Sequence, residues 1–237
     1  MKETKFRFKR FSVAHGKSSM KVGVDAVLLG AWTRCKGKRI LEVGTGCGVI
    51  SLILAQRNQE AVIDAIDIDD LSIEEASMNF LNSPWRERIK AIKAEFPYSP
   101  GLLNRGYDLI VSNPPYFSSG IPDPVTQREK ARHQGSLSVF SLLENANKFL
   151  NENGKVSMIY PFEFHDQAIQ KAKEKGLGPE RVCMVRGNKR RPVKRVIAEY
   201  GYQQSKNLIS REEITLFYEG KPSPEYQQLC KELYLKF

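Results

Sequence analysis

The 237-residue chain has only four cysteines, Cys35, Cys47, Cys183 and Cys230, scattered with no C-x-x-C pair. Neither a zinc site nor a disulfide frame is expected from such spacing, and no other metal site is suggested. No apolar run approaches the ~18 residues a membrane helix needs. The basic opening, Met1 to Arg10, is not followed by an apolar signal core. A cytoplasmic protein away from the membrane is therefore expected, and nothing in the sequence implies a protein partner. Repeats, low-complexity tracts and long linkers are missing too. Acid is in short supply: 27 Asp and Glu face 37 Lys and Arg, a formal charge of +10. Apolar residues make up 41% of the chain, enough for one α/β domain with its own core.

The most informative residues present are Asn113, Pro114, Pro115 and Tyr116. They follow the apolar run Tyr107–Ser112, which reads as a buried strand. They thus sit where a strand of a parallel sheet stops, the usual place for a site in open α/β folds. Two prolines contribute carbonyls but no N–H groups. The Asn113 amide oxygen adds an acceptor and Tyr116 a flat face. Such a turn suits a planar group with N–H donors of its own, such as an amide or the amine of a base. The same segment also reads as a rigid Pro-Pro turn beside a surface tyrosine.

A second signal lies upstream. Arg39–Val43 is a β-type run, Gly44-Thr45-Gly46-Cys47-Gly48 follows, and Val49–Ala55 has helical character. Strand, glycine turn and helix open a nucleotide-type βαβ unit. The spacing is G-x-G-x-G rather than the G-x-G-x-x-G of dinucleotide enzymes, and no Lys-Ser/Thr pair marks a P-loop. Glu42 would repel a pyrophosphate. A cationic or zwitterionic ligand without phosphate fits better, and S-adenosylmethionine (SAM) is one. The next strand, Ala61–Asp67, ends in an acid about 20 residues on, where a carboxylate accepts from ribose hydroxyls. Asp67 is nearest the strand end; Asp69 and Asp70 either share that role or cap the helix that follows. After the run Arg88–Lys93, Glu95 is placed to accept from an adenine amine and Phe96 to flank the ring, although Glu95 also reads as a solvated loop charge.

Together, Leu41–Gly48, Asp67 and Asn113–Tyr116 resemble the Rossmann-like, SAM-dependent amino-methyltransferases. Met20–Trp32 and Arg128–His133 are similar to the corresponding segments of the bacterial tRNA1(Val) (adenine-37-N6)-methyltransferase family, and the likeness covers nearly the whole chain. The resemblance implies an α/β fold: a mostly parallel seven-stranded sheet, helices on both faces, the final strand antiparallel. It implies methyl transfer to the N6 of an adenosine in tRNA, at position 37 next to the anticodon of valine tRNA; a monomer is also expected. It assigns catalysis to Asn113, Pro114, Pro115 and Tyr116. SAM binding falls to Lys21, Gly23, Asp25, Glu42, Gly44, Gly46, Gly48, Asp67, Ile68, Glu95, Phe96 and Asn113. Other N6-adenine methyltransferases, of rRNA or DNA, and the glutamine N5-methyltransferases of release factors share the motif. The glutamine enzymes resemble chains with a sizeable helical domain before the glycine loop, where only about 40 residues stand here. A basic RNA-binding module that has lost the chemistry is the alternative of a different class.

The charge distribution favours a polyanion. Arg181 to Arg195 holds seven basic residues and no acid, and Met1 to Arg39 holds eleven against two. Glycine and proline forbid a long helix over residues 186–195. They are expected to form a basic finger between strands, with Arg186, Lys189, Arg190, Arg191, Lys194 and Arg195 against RNA phosphates. Arg132 and His133 join them from a loop of about 20 residues, 117–137, expected to close over the target base. His133 is read as phosphate-facing or hydrogen-bonded rather than as a base, and His165 as lying on a surface helix. Three segments are expected within one domain: a basic arm and helix (1–38), a cofactor-binding βα core (39–175), and C-terminal strands with a basic loop and a helix over about 224–235 (176–237). In the arm, Phe6, Phe8 and Phe11 alternate with basic residues, as in a strand with one apolar face packed on the domain.

Overall fold

The computed structural model describes residues 5–18, 20–103, 105–115, 137–202 and 208–236. The chain opens with a small antiparallel pair, β1 (Lys5–Arg7) and β2 (Ser12–Ala14). Helix α1 (Val24–Trp32) leads into β3 (Arg39–Val43), and α2 (Val49–Arg57) into β4 (Val62–Asp67). Then come α3 (Asp70–Leu81), β5 (Ile89–Lys93), the short α4 (Pro100–Leu103) and β6 (Tyr107–Ser112). Beyond residue 136 follow α5 (Val139–Asn145), β7 (Leu150–Pro161), α6 (His165–Glu174), β8 (Leu177–Asn188) and β9 (Val193–Tyr202). β10 (Ser210–Tyr218), β11 (Lys221–Pro222) and α7 (Pro224–Cys230) close the chain.

The main sheet runs β11-β10-β8-β9-β7-β6-β3-β4-β5. β5, β4, β3, β6 and β7 are mutually parallel, and β9 is antiparallel to both β7 and β8. Counting from β3, the seventh strand is thus the antiparallel one. The sheet nevertheless has nine strands, not seven, because β10 pairs parallel with β8 and β11 folds back on β10. The last helix is shorter than the apolar pattern suggests, ending at Cys230. The arm is a hairpin rather than one strand, and its apolar face packs inward. Phe8 stacks on Phe11 at 4.5 Å and on Tyr234 at 6.0 Å, and Phe11 meets Trp85 edge-on.

Period-two alternation divides the core. Ile40, Leu109, Val111, Ile159 and Ile197 point toward the side of α1, α2 and α3. Leu41, Val43, Ile110, Met158 and Val196 point toward α5 and α6. Because both faces are covered, the central strands read as continuous apolar runs, and site chemistry is left to the strand ends. His165 belongs to this interior: it is buried, and Tyr160 Oη lies 3.1 Å from its Nδ1 and 2.6 Å from Tyr200 Oη. Burial pushes its pKa down. The surface assignment of His165 is therefore corrected. It opens α6 immediately after β7, where the helix turns back onto the sheet.

Candidate active site

The glycine loop joins the carboxyl end of β3 to α2. Gly44, Gly46 and Gly48 all have positive φ (76°, 53° and 81°), a conformation L side chains rarely adopt. The Gly44 and Thr45 N–H groups both donate to the Ile66 carbonyl (2.9 Å each), tying the loop to the end of β4. The glycines differ in what surrounds them. A Cβ on Gly48 would lie 2.4 Å from Phe80 Cε1, so this glycine serves packing. A Cβ on Gly46 would meet nothing within 4 Å among the described residues. Gly46 faces open space that a ligand can enter.

Glu42 lies beneath the loop, fully buried. Its Oε2 accepts from Thr45 Oγ1 (2.8 Å), the Ser51 N–H (3.0 Å) and the Ser51 hydroxyl. Its Oε1 has no partner among the described residues. Burial without a cation raises its pKa to about 7, against the pull of those hydrogen bonds.

Asp67 and Asp69 are distinguished by geometry. Asp69 is the N-cap of α3, with Oδ2 accepting from the Ser72 N–H and hydroxyl (2.8 Å each). Asp67 takes the Gly46 N–H on Oδ2 (2.9 Å) and the Asp69 N–H on Oδ1 (3.0 Å), which fixes the carboxylate at the strand end. Burial raises its pKa. Ile68 beside it is an exposed apolar side chain. Glu95 is exposed, and its carbonyl accepts from Ser99 Oγ. Phe96 differs from the sequence expectation. Its ring is buried against Phe149 at 5.0 Å, a position in the core rather than on an open face. Its aromatic character matched both roles, and only packing separates them.

One wall of the site comes from the segment before α1. Glu75 Oε1 accepts from the Gly16 and Lys17 N–H groups (2.7 and 2.9 Å), and Oε2 from that of Ser18 (2.8 Å). These bonds lower its pKa despite desolvation. Asn79 grips Ala14 through both N–H and C=O and donates to the Cys47 carbonyl as well. His15 Nδ1 accepts from the Val22 N–H (3.2 Å). Two polar side chains on α3 thus hold residues 14–18, and Asn79 ties them to the glycine loop at Cys47. Sequence reasoning missed Glu75 and Asn79, which the structure buries on α3; an acid and an amide four residues apart on that helix were the available signal.

The Asn113-Pro114-Pro115 turn is fastened in a similar way. Ser112 Oγ donates to the Val43 carbonyl (2.7 Å), which holds the end of β6 to the end of β3 and sets Asn113 beside Gly44. Asn113 and the loop residues Gly44–Cys47 line one cavity of about 430 Å³ with Lys21, Gly23, Asp25 and Arg195. Arg195 is thus at the cavity rather than at the tip of the basic finger, and its Nε donates to Asp25 Oδ2 at 2.9 Å. Pro114 is buried and Pro115 half-buried. Tyr116, Arg132 and His133, with the 117–136 part of the expected lid, lie outside the described residues.

The finger itself is the β8–β9 hairpin. Lys189, Arg190, Arg191 and Lys194 are exposed. Arg186 instead braces it, donating to Glu213 Oε1 (2.6 Å) and to the Arg191 carbonyl (3.0 Å). Among the described residues no group of three His, Cys, Asp or Glu side chains is placed to hold a metal, and no helix is long and apolar enough to cross a membrane.

Comparison with known proteins agrees with this geometry. Residues 19–172 match the methyltransferase small domain family. A curated tRNA1(Val) (adenine(37)-N6)-methyltransferase of Parabacteroides distasonis is 40% identical over 234 residues, covering 98% of each chain. One from Bacteroides fragilis is 38% identical over 238 residues, covering 100% of both. The chain belongs to the tRNA1(Val) (adenine(37)-N6)-methyltransferase family. Among solved structures, a predicted O-methyltransferase from Agrobacterium tumefaciens aligns with a TM-score of 0.69 at 17% identity, over 88% of this chain and 96% of that one. A methyltransferase from Pyrococcus furiosus aligns at 0.58 and 19%, over 79% and 86%. These two share the fold, a class I SAM-methyltransferase sheet.

Membership of this family implies SAM as methyl donor, and the residues present suit it. The orphan Glu42 Oε1, the open space at Gly46 and the Asp67 carboxylate are acceptors and room for a ligand with an ammonium group and a ribose. No phosphate-binding group stands in the loop.

Proposed function

We propose that this protein methylates the exocyclic N6 of an adenosine in tRNA, at position 37 beside the anticodon of valine tRNA, acting as a cytoplasmic monomer. The observation that carries this reading is that Asn113 and the glycine loop line one cavity. Full-length similarity to relatives named for that activity supports the substrate.

Bound SAM supplies an electrophilic methyl group on a sulfonium. In this reading Asp67 accepts from the ribose hydroxyls, Glu42 faces the ammonium, and Ile68 packs against the adenine ring. Lys21, Gly23 and Asp25 close the cavity from above. The target amine is a poor nucleophile because its lone pair is delocalised into the base. Asn113 Oδ1 and the Pro114 carbonyl each accept one of its N–H bonds. That pair of acceptors favours a pyramidal nitrogen and aims its lone pair into the cavity. As positive charge develops on the amine, the same two oxygens stabilise it more than they do the ground state. Tyr116 stacks on the base and fixes its plane. Positioning is the main catalytic device, and no strong base is required because the methylated amine loses its proton readily. A base in a single-stranded loop reaches such a turn more easily than one stacked in a duplex.

Incubation with labelled SAM and a mixture of tRNA, rRNA, duplex DNA and release factor, followed by digestion, tests the assignment. Label in N6-methyladenosine from tRNA is expected. Label confined to another polymer or to glutamine overturns it.

A further inference from the structure

The sheet carries a second concavity at the same edge as the catalytic turn. β8 and β10 run parallel to β6 and β7, so Asn188 and Tyr218, at their carboxyl ends, lie on the side of the sheet where Asn113 follows β6. The β8–β9 turn and the β10–β11 turn enclose a groove of about 1130 Å³ between them. One wall carries Lys189, Arg190, Arg191 and Lys194; the other carries Phe217 and Tyr218. Among the described residues none of the four cations forms an ion pair, and Glu219 is the single carboxylate lining the groove.

The aromatic wall is not a random exposure. Phe217 is 37% exposed and Tyr218 36%, although both fall in a strand whose preceding residues enter the core. Phe217 is held edge-on by Tyr226 at 6.2 Å, and the Tyr218 hydroxyl donates to Glu225 Oε1 at 3.0 Å. Both rings therefore hold fixed orientations. The opposite wall is equally fixed: the Arg190 N–H donates to Asn188 Oδ1, the Arg191 N–H to the Asn188 carbonyl, and Arg186 ties the Arg191 carbonyl to Glu213. A merely solvated basic surface needs neither a rigid turn nor facing aromatic rings. Cations along a groove with anchored π-faces are the arrangement that holds a nucleic-acid backbone and stacks a base.

We propose that this groove is a second RNA site, separate from the methyl-transfer cavity, which takes the phosphates and one unstacked base of the substrate some way along the chain from the target. It presupposes the RNA substrate inferred above. At about 4.8 Å per strand, the end of β10 stands four strands from β6, roughly 19 Å. For a strand that stays stacked, with the ~3.4 Å rise of a duplex strand, that is about five or six nucleotides. Lys194 lines the groove and the next residue, Arg195, lines the catalytic cavity, so β9 carries a cationic path from one to the other.

The test measures RNA affinity, which needs no turnover, alongside methylation. The variant with Lys189, Arg190 and Arg191 all changed to Ser is expected to bind full tRNA at least ~10-fold more weakly, with the slope of log K against log salt reduced by about 2 to 3. Its SAM affinity and melting temperature stay at wild-type values. Phe217→Leu keeps the apolar packing but removes the π-face; it should weaken binding ~10-fold, and Phe217→Trp should restore it. With a linear RNA of three nucleotides either side of the target, wild type and variants should bind alike. Unchanged tRNA affinity and salt slope in the triple variant overturn the groove, as does equal weakening on the linear RNA. A wild-type protein that methylates no RNA overturns the functional reading instead, while the binding data still decide the groove.

Discussion

The Gly46 N–H donates to Asp67 Oδ2 at 2.9 Å, across the ends of two neighbouring strands. The residue that shapes the loop and the residue expected to hold the ribose are therefore one mechanical unit. Asp67→Ala loses the ribose acceptor and frees the loop together. SAM affinity should fall by about 2 kcal/mol, some 30-fold, the scale of a hydrogen bond to a charged group. Calorimetric titration checks it; an affinity within twofold of wild type would put the ribose elsewhere.

Neighbouring glycines should separate stability from binding. Gly48→Ala places a methyl against the Phe80 ring in a left-handed conformation, so the main loss is in thermal stability. Gly46→Ala bears backbone strain of about 1 kcal/mol, but its methyl enters open space. Its main loss should be in SAM binding. Melting curves and titrations of both variants read the contrast.

Glu42 gives a pH signature. Its unfolded carboxyl titrates near 4.5 and its folded one near 7. Between those values the folded protein retains a proton that the unfolded chain has lost. The corresponding stability is full below about pH 4.5 and is lost as pH rises through 7. Glu42→Gln should therefore raise the melting temperature over wild type more at pH 8 than at pH 5. SAM should behave oppositely, because an ionised Glu42 attracts its ammonium. Wild-type affinity should rise between pH 5.5 and 8 with proton release, and Glu42→Gln should flatten that rise.

Glu75 is predicted to control the cavity from a distance. Glu75→Gln weakens three backbone bonds that hold residues 16–18. Each bond to a charged acceptor contributes roughly 1.5–3 kcal/mol, part of which the amide oxygen keeps. Loss of protection in residues 16–25 by hydrogen exchange, with weaker SAM binding, is the expected outcome; unchanged exchange there would remove Glu75 from the site's support.

What the sequence made legible follows from locality. Strand, glycine turn and helix are contiguous, and so are β6 and Asn113-Pro114-Pro115, so each could be read where it stands. The parallel core was legible for the same reason, since its strands carry apolar runs or, in β5, an apolar alternation. What escaped depends on contacts distant in the chain. Arg195 and Asp25 are 170 residues apart. Ser112 reaches Val43 and Glu75 reaches Gly16 across gaps that no motif spans. Phe96 and His165 have residue types that suit surface, site and core alike, and only the packed structure assigns them to the core. β10 and β11 extend the sheet because the chain after β9 returns beside β8, a pairing that alternation alone does not reveal.

Catalysis is expected to depend on two oxygens, one from Asn113 and one from Pro114, gripping the target amine. The most direct test is a single-turnover methylation of valine tRNA by Asn113→Ala with SAM and RNA both saturating. The predicted loss is at least ~2–3 kcal/mol of transition-state stabilisation, a rate lower by roughly 30-fold to 150-fold, with SAM affinity within about twofold of wild type. A near-normal rate, or a loss that appears only as weaker SAM binding, would contradict it.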